Sequence, residues 1–176
     1  APAPSRSSSR RSVLMGSGVL FVIAAAGAGS WLTIRRKDEA PPEAQALLAQ
    51  AWQAWTQGSA EGSAQAIGLY RRATEIAPLH ADSWGLLGCC YGDRGHNHVV
   101  DHERTAVWQR AREAGGRALE IDKKNAYGRM AVAYARPRRG NWDLMEREFR
   151  RAEKEQPGKF LVNYSIGLLL GEVGRF

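Results

Sequence analysis

The sequence predicts an all-α protein built from stacked helical hairpins, and three observations carry that expectation. From Glu43 onward every long segment has helical periodicity and none alternates as a strand would. A pattern of small and bulky residues recurs at spacings of four, three and five. Prolines close two of the recurring segments. The composition agrees: 176 residues, 44% hydrophobic, with two cysteines, suit one globular domain plus an appendage and exclude collagen, coiled-coil and disulfide-scaffold classes.

The appendage comes first. Residues 1–12, opening Ala-Pro-Ala-Pro-Ser-Arg-Ser-Ser-Ser, read as a disordered linker that follows something further upstream. Between Arg11 and Arg35 lie 23 uncharged residues, which span about 34 Å as a helix, the depth of a bilayer core. Residues 13–34 are therefore predicted to form a single transmembrane helix, with Trp31 at headgroup depth. The alternative is an export signal, because Ser9-Arg10-Arg11-Ser12-Val13-Leu14-Met15 resembles a twin-arginine motif and Ala26-Gly27-Ala28 offers a cleavage site. Three Lys/Arg precede the run and three follow it, so charge gives no orientation. Residues 35–42 form a charged, proline-containing juxtamembrane linker, and residues 43–176 the helical domain.

The formal charge of +7 does not mark a nucleic-acid surface. Six of the 25 basic residues fall in the first 37 positions, which hold no acid, leaving 19 against 18 acids in the rest. A near-neutral body lacks the clustered positive face that phosphate binding needs.

Within the domain, Ala66, Tyr70, Ala73 and Pro78 define one second helix, and Met145, Phe149, Ala152 and Pro157 repeat their spacing. Ala111, Gly115, Ala118 and Lys123 place a third copy between them. First helices recur too: Trp84, Leu87, Gly88 and Tyr91 follow Pro78, and Ile166-Gly167 holds the corresponding place after Pro157. Small residues (Gly88, Ala133, Gly167, Ala66, Ala73, Ala118, Ala152) let backbones approach, while Trp84, Tyr91, Tyr70 and Phe149 fill the spaces between them. The second unit carries about 11 extra residues between Gly92 and Val107. The first carries about three near Gly58.

These residues resemble the tetratricopeptide repeat, with Trp, Leu-Gly and Tyr on its first helix and Ala, an aromatic, Ala and Pro on its second. The resemblance covers residues 43–176 and implies a right-handed superhelical stack of antiparallel hairpins, about 3.5 repeats, truncated in the fourth. Arg129, Arg136, Lys123 and Gly115 depart from the pattern and leave the packing between the second and third units open. Ile166, Leu168, Leu169 and Leu170 are expected to lack a partner.

The resemblance also implies that first helices line a groove for a protein or peptide. Its positions in the third unit are Tyr127, Met130, Tyr134, Pro137 and Arg138. In the second they hold Asp82, Gly85, Cys89, Gly92 and Asp93, and in the fourth Leu161, Tyr164, Leu168, Gly171 and Glu172. Tyr127, Met130, Tyr134 and Tyr164 would supply adaptable contacts, and Arg138 a carboxylate partner.

Other chemistry is thinly represented. His96, His98 and His102 with Asp101 form H-x-H-x-x-D-H, a low-weight metal alternative. The bland reading is an exposed insertion in which Asp101 caps the next helix. Cys89 and Cys90 are adjacent on a helix, where side chains diverge, and read as packing residues. Neither a nucleophile elbow nor a phosphate loop occurs, and no enzyme or cofactor is predicted. The layout of linker, membrane helix and repeats resembles the periplasmic half of bacterial membrane-anchored regulators of the ToxR/CadC-like group.

Overall fold

The computed structural model describes residues 39–174. Its seven helices are α1 Pro42–Trp55, α2 Ala60–Ile76, α3 Ala81–Asn97, α4 Asp101–Ile121, α5 Ala126–Tyr134, α6 Trp142–Glu155 and α7 Phe160–Glu172, with no strand among the described residues. No helix among them is long and apolar enough to cross a membrane. The predicted membrane helix at 13–34 and both linkers up to residue 38 lie outside the described residues.

Local chemistry sets the boundaries. Pro42 opens α1, where a missing N–H costs nothing. The Ser59 hydroxyl accepts from the Gly62 N–H at 2.9 Å and starts α2. Asn125, 1% exposed, starts α5 by accepting from the Gly128 N–H at 2.8 Å. After α6, Gly158 takes the left-handed conformation, φ 82°, that turns the chain after Pro157 into α7.

Each hairpin is antiparallel. Ala44 and Leu47 near the start of α1 pack with Ala73 and Ala77 around the end of α2. In α3 and α4, Gly95 meets Trp108 while Gly88 meets Ala111 and Gly115. The Ala126 N–H of α5 donates to the Gln156 side chain just past α6 at 3.0 Å. One core cluster joins Tyr70, Leu87, Cys90, Tyr91 and Trp108. A second joins Met130, Met145, Phe149, Val162 and Ile166, and Trp55 and Leu86 border both.

The recurring positions sit where close approach is required. Ala66, Ala73, Ala118 and Ala152 are fully buried, as are Tyr70 and, at 1% exposure, Phe149. Ala133, Leu87 and Tyr91 are buried, Trp84 is half-buried, and both helix-ending prolines are exposed. The Trp84 indole donates to the Pro78 carbonyl at 3.0 Å, pinning α3 to the turn before it.

The packing left open between the second and third units is resolved, and three expectations are corrected. The second and third units pack tightly, because Gly115 admits Ala131 where an aromatic would exclude it. Arg129 replaces an apolar contact by an ionic one, reaching Glu155 at 2.7 Å and Glu148 at 3.3 Å on α6. The insertion is not an exposed loop: it lengthens α3 and α4, and Asp101 is the first residue of α4, paired with Arg104 at 2.7 Å, rather than its cap. A Cβ added at Gly167 would meet nothing within 4 Å outside its own helix, and the residue is exposed, so the close approach expected there is not made by the described residues. On the same helix Ile166 and Leu169, expected to lack a partner, are buried in the second core cluster and Leu170 packs against it, because α6 and α5 cover that face; Leu168 is 50% exposed.

Candidate functional site

First helices α1, α3, α5 and α7 converge on one groove of about 560 Å³, within the range of roughly 300–1,000 Å³ that suits ligand sites. One wall is aromatic. Trp52 and Trp55, three residues apart on α1, meet edge to face at 5.7 Å, and Trp55 stands edge to face on Tyr70 at 6.3 Å. Trp52 meets Phe160 of α7 at 6.1 Å, and Phe160 stacks on Tyr164 at 5.8 Å. Phe160, Tyr164 and Leu168, spaced by four, share one face of α7 and are 66%, 53% and 50% exposed. Met130 and Phe149 form the buried floor with Cys89.

Two polar clusters bracket this surface. At the start of the first helices, Lys159 Nζ pairs with Asp82 at 2.6 Å, and Asn125 Nδ2 donates to the other Asp82 oxygen at 2.6 Å. Lys159 also stands over the Tyr127 ring at 5.0 Å. At the opposite end, Asp93 accepts from the Trp55 indole at 3.0 Å and from Asn97 at 2.8 Å, with His98 Nε2 at 3.8 Å.

The five predicted groove residues separate. Met130, Tyr134 and Tyr164 line the groove. Arg138 lies beside it, holding Glu172 at 2.9 Å and the Tyr134 hydroxyl at 2.6 Å with its guanidinium over the Tyr134 ring. Tyr127 does not line it: its Cβ packs at the α3 backbone of Gly85, its carbonyl accepts from the Cys89 thiol at 3.3 Å, and burial pushes its phenol up. Burial also pushes both cysteine thiols up, which keeps them neutral. Sequence reading missed Trp52, Trp55 and Phe160. An aromatic pair spaced by three on α1 was the available signal, but the resemblance gives groove positions only in the second, third and fourth units, and Phe160 lies one residue before the first of these in the fourth.

The metal alternative is also corrected. Among the described residues no group of three or more His, Cys, Asp or Glu is placed to hold an ion. His96 instead bonds the Tyr134 carbonyl at 2.8 Å between the rings of Trp108 and Tyr134, and so braces the groove wall. Burial pushes its imidazole down from 6.5 to about 4, against the raising effect of the Tyr134 carbonyl. A folded chain that refuses a proton the unfolded chain accepts keeps this contribution above pH 6.5 and loses it as pH falls toward about 4. Relative to His96→Gln, the wild type is therefore expected to lose about 1–2 kcal/mol between roughly pH 7 and 4.5, its partial exposure allowed for. Urea unfolding of both proteins across that range checks it; parallel pH profiles would refute it.

No protein-family model matches the chain, and no curated protein matches it. Solved structures do. The chain is similar to the first TPR of Spaghetti (RPAP3) bound to the HSP90 peptide SRMEEVD, at 13% identity and a TM-score of 0.47, covering 75% of this chain and 94% of that one. It is similar to the Arabidopsis OM64 TPR domain at 17% identity and a TM-score of 0.47, covering 72% and 93%.

Proposed function

We propose that the chain is a tetratricopeptide-type module that binds a protein or peptide in the groove of its first helices and transforms nothing. The observation that carries this is the exposed row Phe160, Tyr164 and Leu168 continuing into the tryptophan wall. Three large apolar side chains in line on a concave face are the anchoring surface that peptide segments use. Bound ligand would be gripped by the aromatic side chains, whose few rotors lose little entropy, over a floor fixed by core packing.

The 23-residue uncharged run between Arg11 and Arg35 supports a finer reading, in which this module is held on a bacterial membrane as the extracytoplasmic, sensing half of a regulator. The twin-arginine-like Ser9 to Met15 segment favours a second reading, an exported periplasmic adaptor. Retention in the membrane fraction supports the first, and release by osmotic shock the second.

Selection of phage-displayed random dodecapeptides on the full chain tests the groove. Enriched peptides are expected to bind the wild type and to lose about tenfold in affinity on Tyr164→Ala/Leu168→Ala. Both positions are half-exposed, so the double variant should keep its fold. Binding that ignores the double variant would refute the groove.

A further inference from the structure

We infer that the groove selects a peptide segment carrying a lysine or arginine flanked by aliphatic or aromatic side chains, and rejects acidic segments; this rests on the groove reading above. Among the described residues lining the groove, Asp93 is the one carboxylate, and no lysine or arginine lines it. The neighbouring cations are committed elsewhere: Lys159 to Asp82 and Arg138 to Glu172, while Arg94 donates to the Ala60 carbonyl at 3.0 Å. Asp93 is held by an indole and an amide, with an imidazole at 3.8 Å. These fix the carboxylate without a permanent positive charge to neutralise it.

An incoming cation therefore meets an oriented, partly buried carboxylate at one end of a largely apolar groove, where its attraction is only partly screened by water. The aromatic faces of Trp52, Trp55 and Tyr164 add a second attraction for ammonium or guanidinium. Flanking apolar side chains cover Phe160 and Leu168. An acidic segment would set like charges together in the same groove with no cation lining it to offset them.

The test uses fluorescein-labelled decapeptide pools of mixed Leu, Phe, Tyr and Ser around a fixed central Lys, Gln or Glu. Anisotropy is read on the full chain in phosphatidylcholine nanodiscs, with empty nanodiscs as blank. The Lys pool is expected to bind at least about tenfold more tightly than the Glu pool, with the Gln pool between them. Asp93→Asn keeps an acceptor for the Trp55 indole and is expected to bring the Lys and Gln pools level. Preference for the Glu pool, or a Lys preference that survives Asp93→Asn, overturns the cation assignment and leaves the groove standing. Failure of every pool to bind the wild type, or binding to Tyr164→Ala/Leu168→Ala as tight as to the wild type, takes down the groove itself. A melting curve checks the Asp93→Asn fold; should it not fold, the ranking of Lys over Glu on the wild type decides.

Discussion

Gly88→Val is expected to lower the stability of the domain by at least about 3 kcal/mol, the upper end for forced overpacking. Three helices cross at this α-carbon. A Cβ there would stand 2.6 Å from the Ala131 Cβ on α5, and 3.0 Å from the Ala111 carbonyl oxygen and the Gly115 nitrogen on α4. Two of those atoms are backbone, so a side chain cannot swing away, and valine adds two methyls held in few rotamers. The melting temperature should fall by about 10 °C. The adjacent pair Gly115 and Gly116 supplies an internal control. A Cβ on Gly115 would meet Ala131 at 2.8 Å and the Gly128 carbonyl at 2.9 Å, whereas Gly116 has nothing within 4 Å. Gly115→Ala should therefore destabilise, and Gly116→Ala should stabilise by roughly 0.5–1 kcal/mol through helix propensity alone. Thermal and urea unfolding read all three; equal effects at 115 and 116 would contradict the packing.

Phe149→Ala should cost about 3–5 kcal/mol, the range for emptying a buried phenylalanine site. Phe149 is 1% exposed, belongs to the cluster that joins α5, α6 and α7, and stands 6.2 Å from the Tyr134 ring. Its loss also removes part of the groove floor, so Tyr134 and Met130 lose the surface against which they are set. Affinity for groove ligands should fall even where the variant remains folded, as measured by anisotropy below the unfolding transition. Phe149→Leu fills most of the volume and should recover most of both losses. A Phe149→Ala protein of wild-type stability would place this ring outside the core.

The helical hairpins were legible because their packing rule is written in local spacing. Ala66, Tyr70 and Ala73 alternate small and bulky at four and three, and all three are fully buried. The ionic replacement was not legible. Arg129 looks misplaced until Glu155, 26 residues on, is brought beside it by the α5–α6 hairpin. The insertion misled for a related reason: polar composition around His96 suggests a loop, yet a lengthened hairpin buries Gly95 against Trp108 and carries His96 to the Tyr134 carbonyl on α5. Of the groove, Met130, Tyr134 and Tyr164 are among the positions that the repeat resemblance implies, and they line it. Trp52 and Phe160 do not, because what brings them together is the curvature of the whole stack rather than any one unit.

That last contact changes how the molecule should come apart. Stacked repeats ordinarily communicate only with adjacent repeats and can melt progressively from an end. Here Trp52 of the first hairpin meets Phe160 of the final helix, α7, and Lys159 reaches back across 77 residues to Asp82. Loosening α7 therefore strips partners from α1 and α3 together, which ties the two extremities into a single cooperative transition in place of terminal fraying.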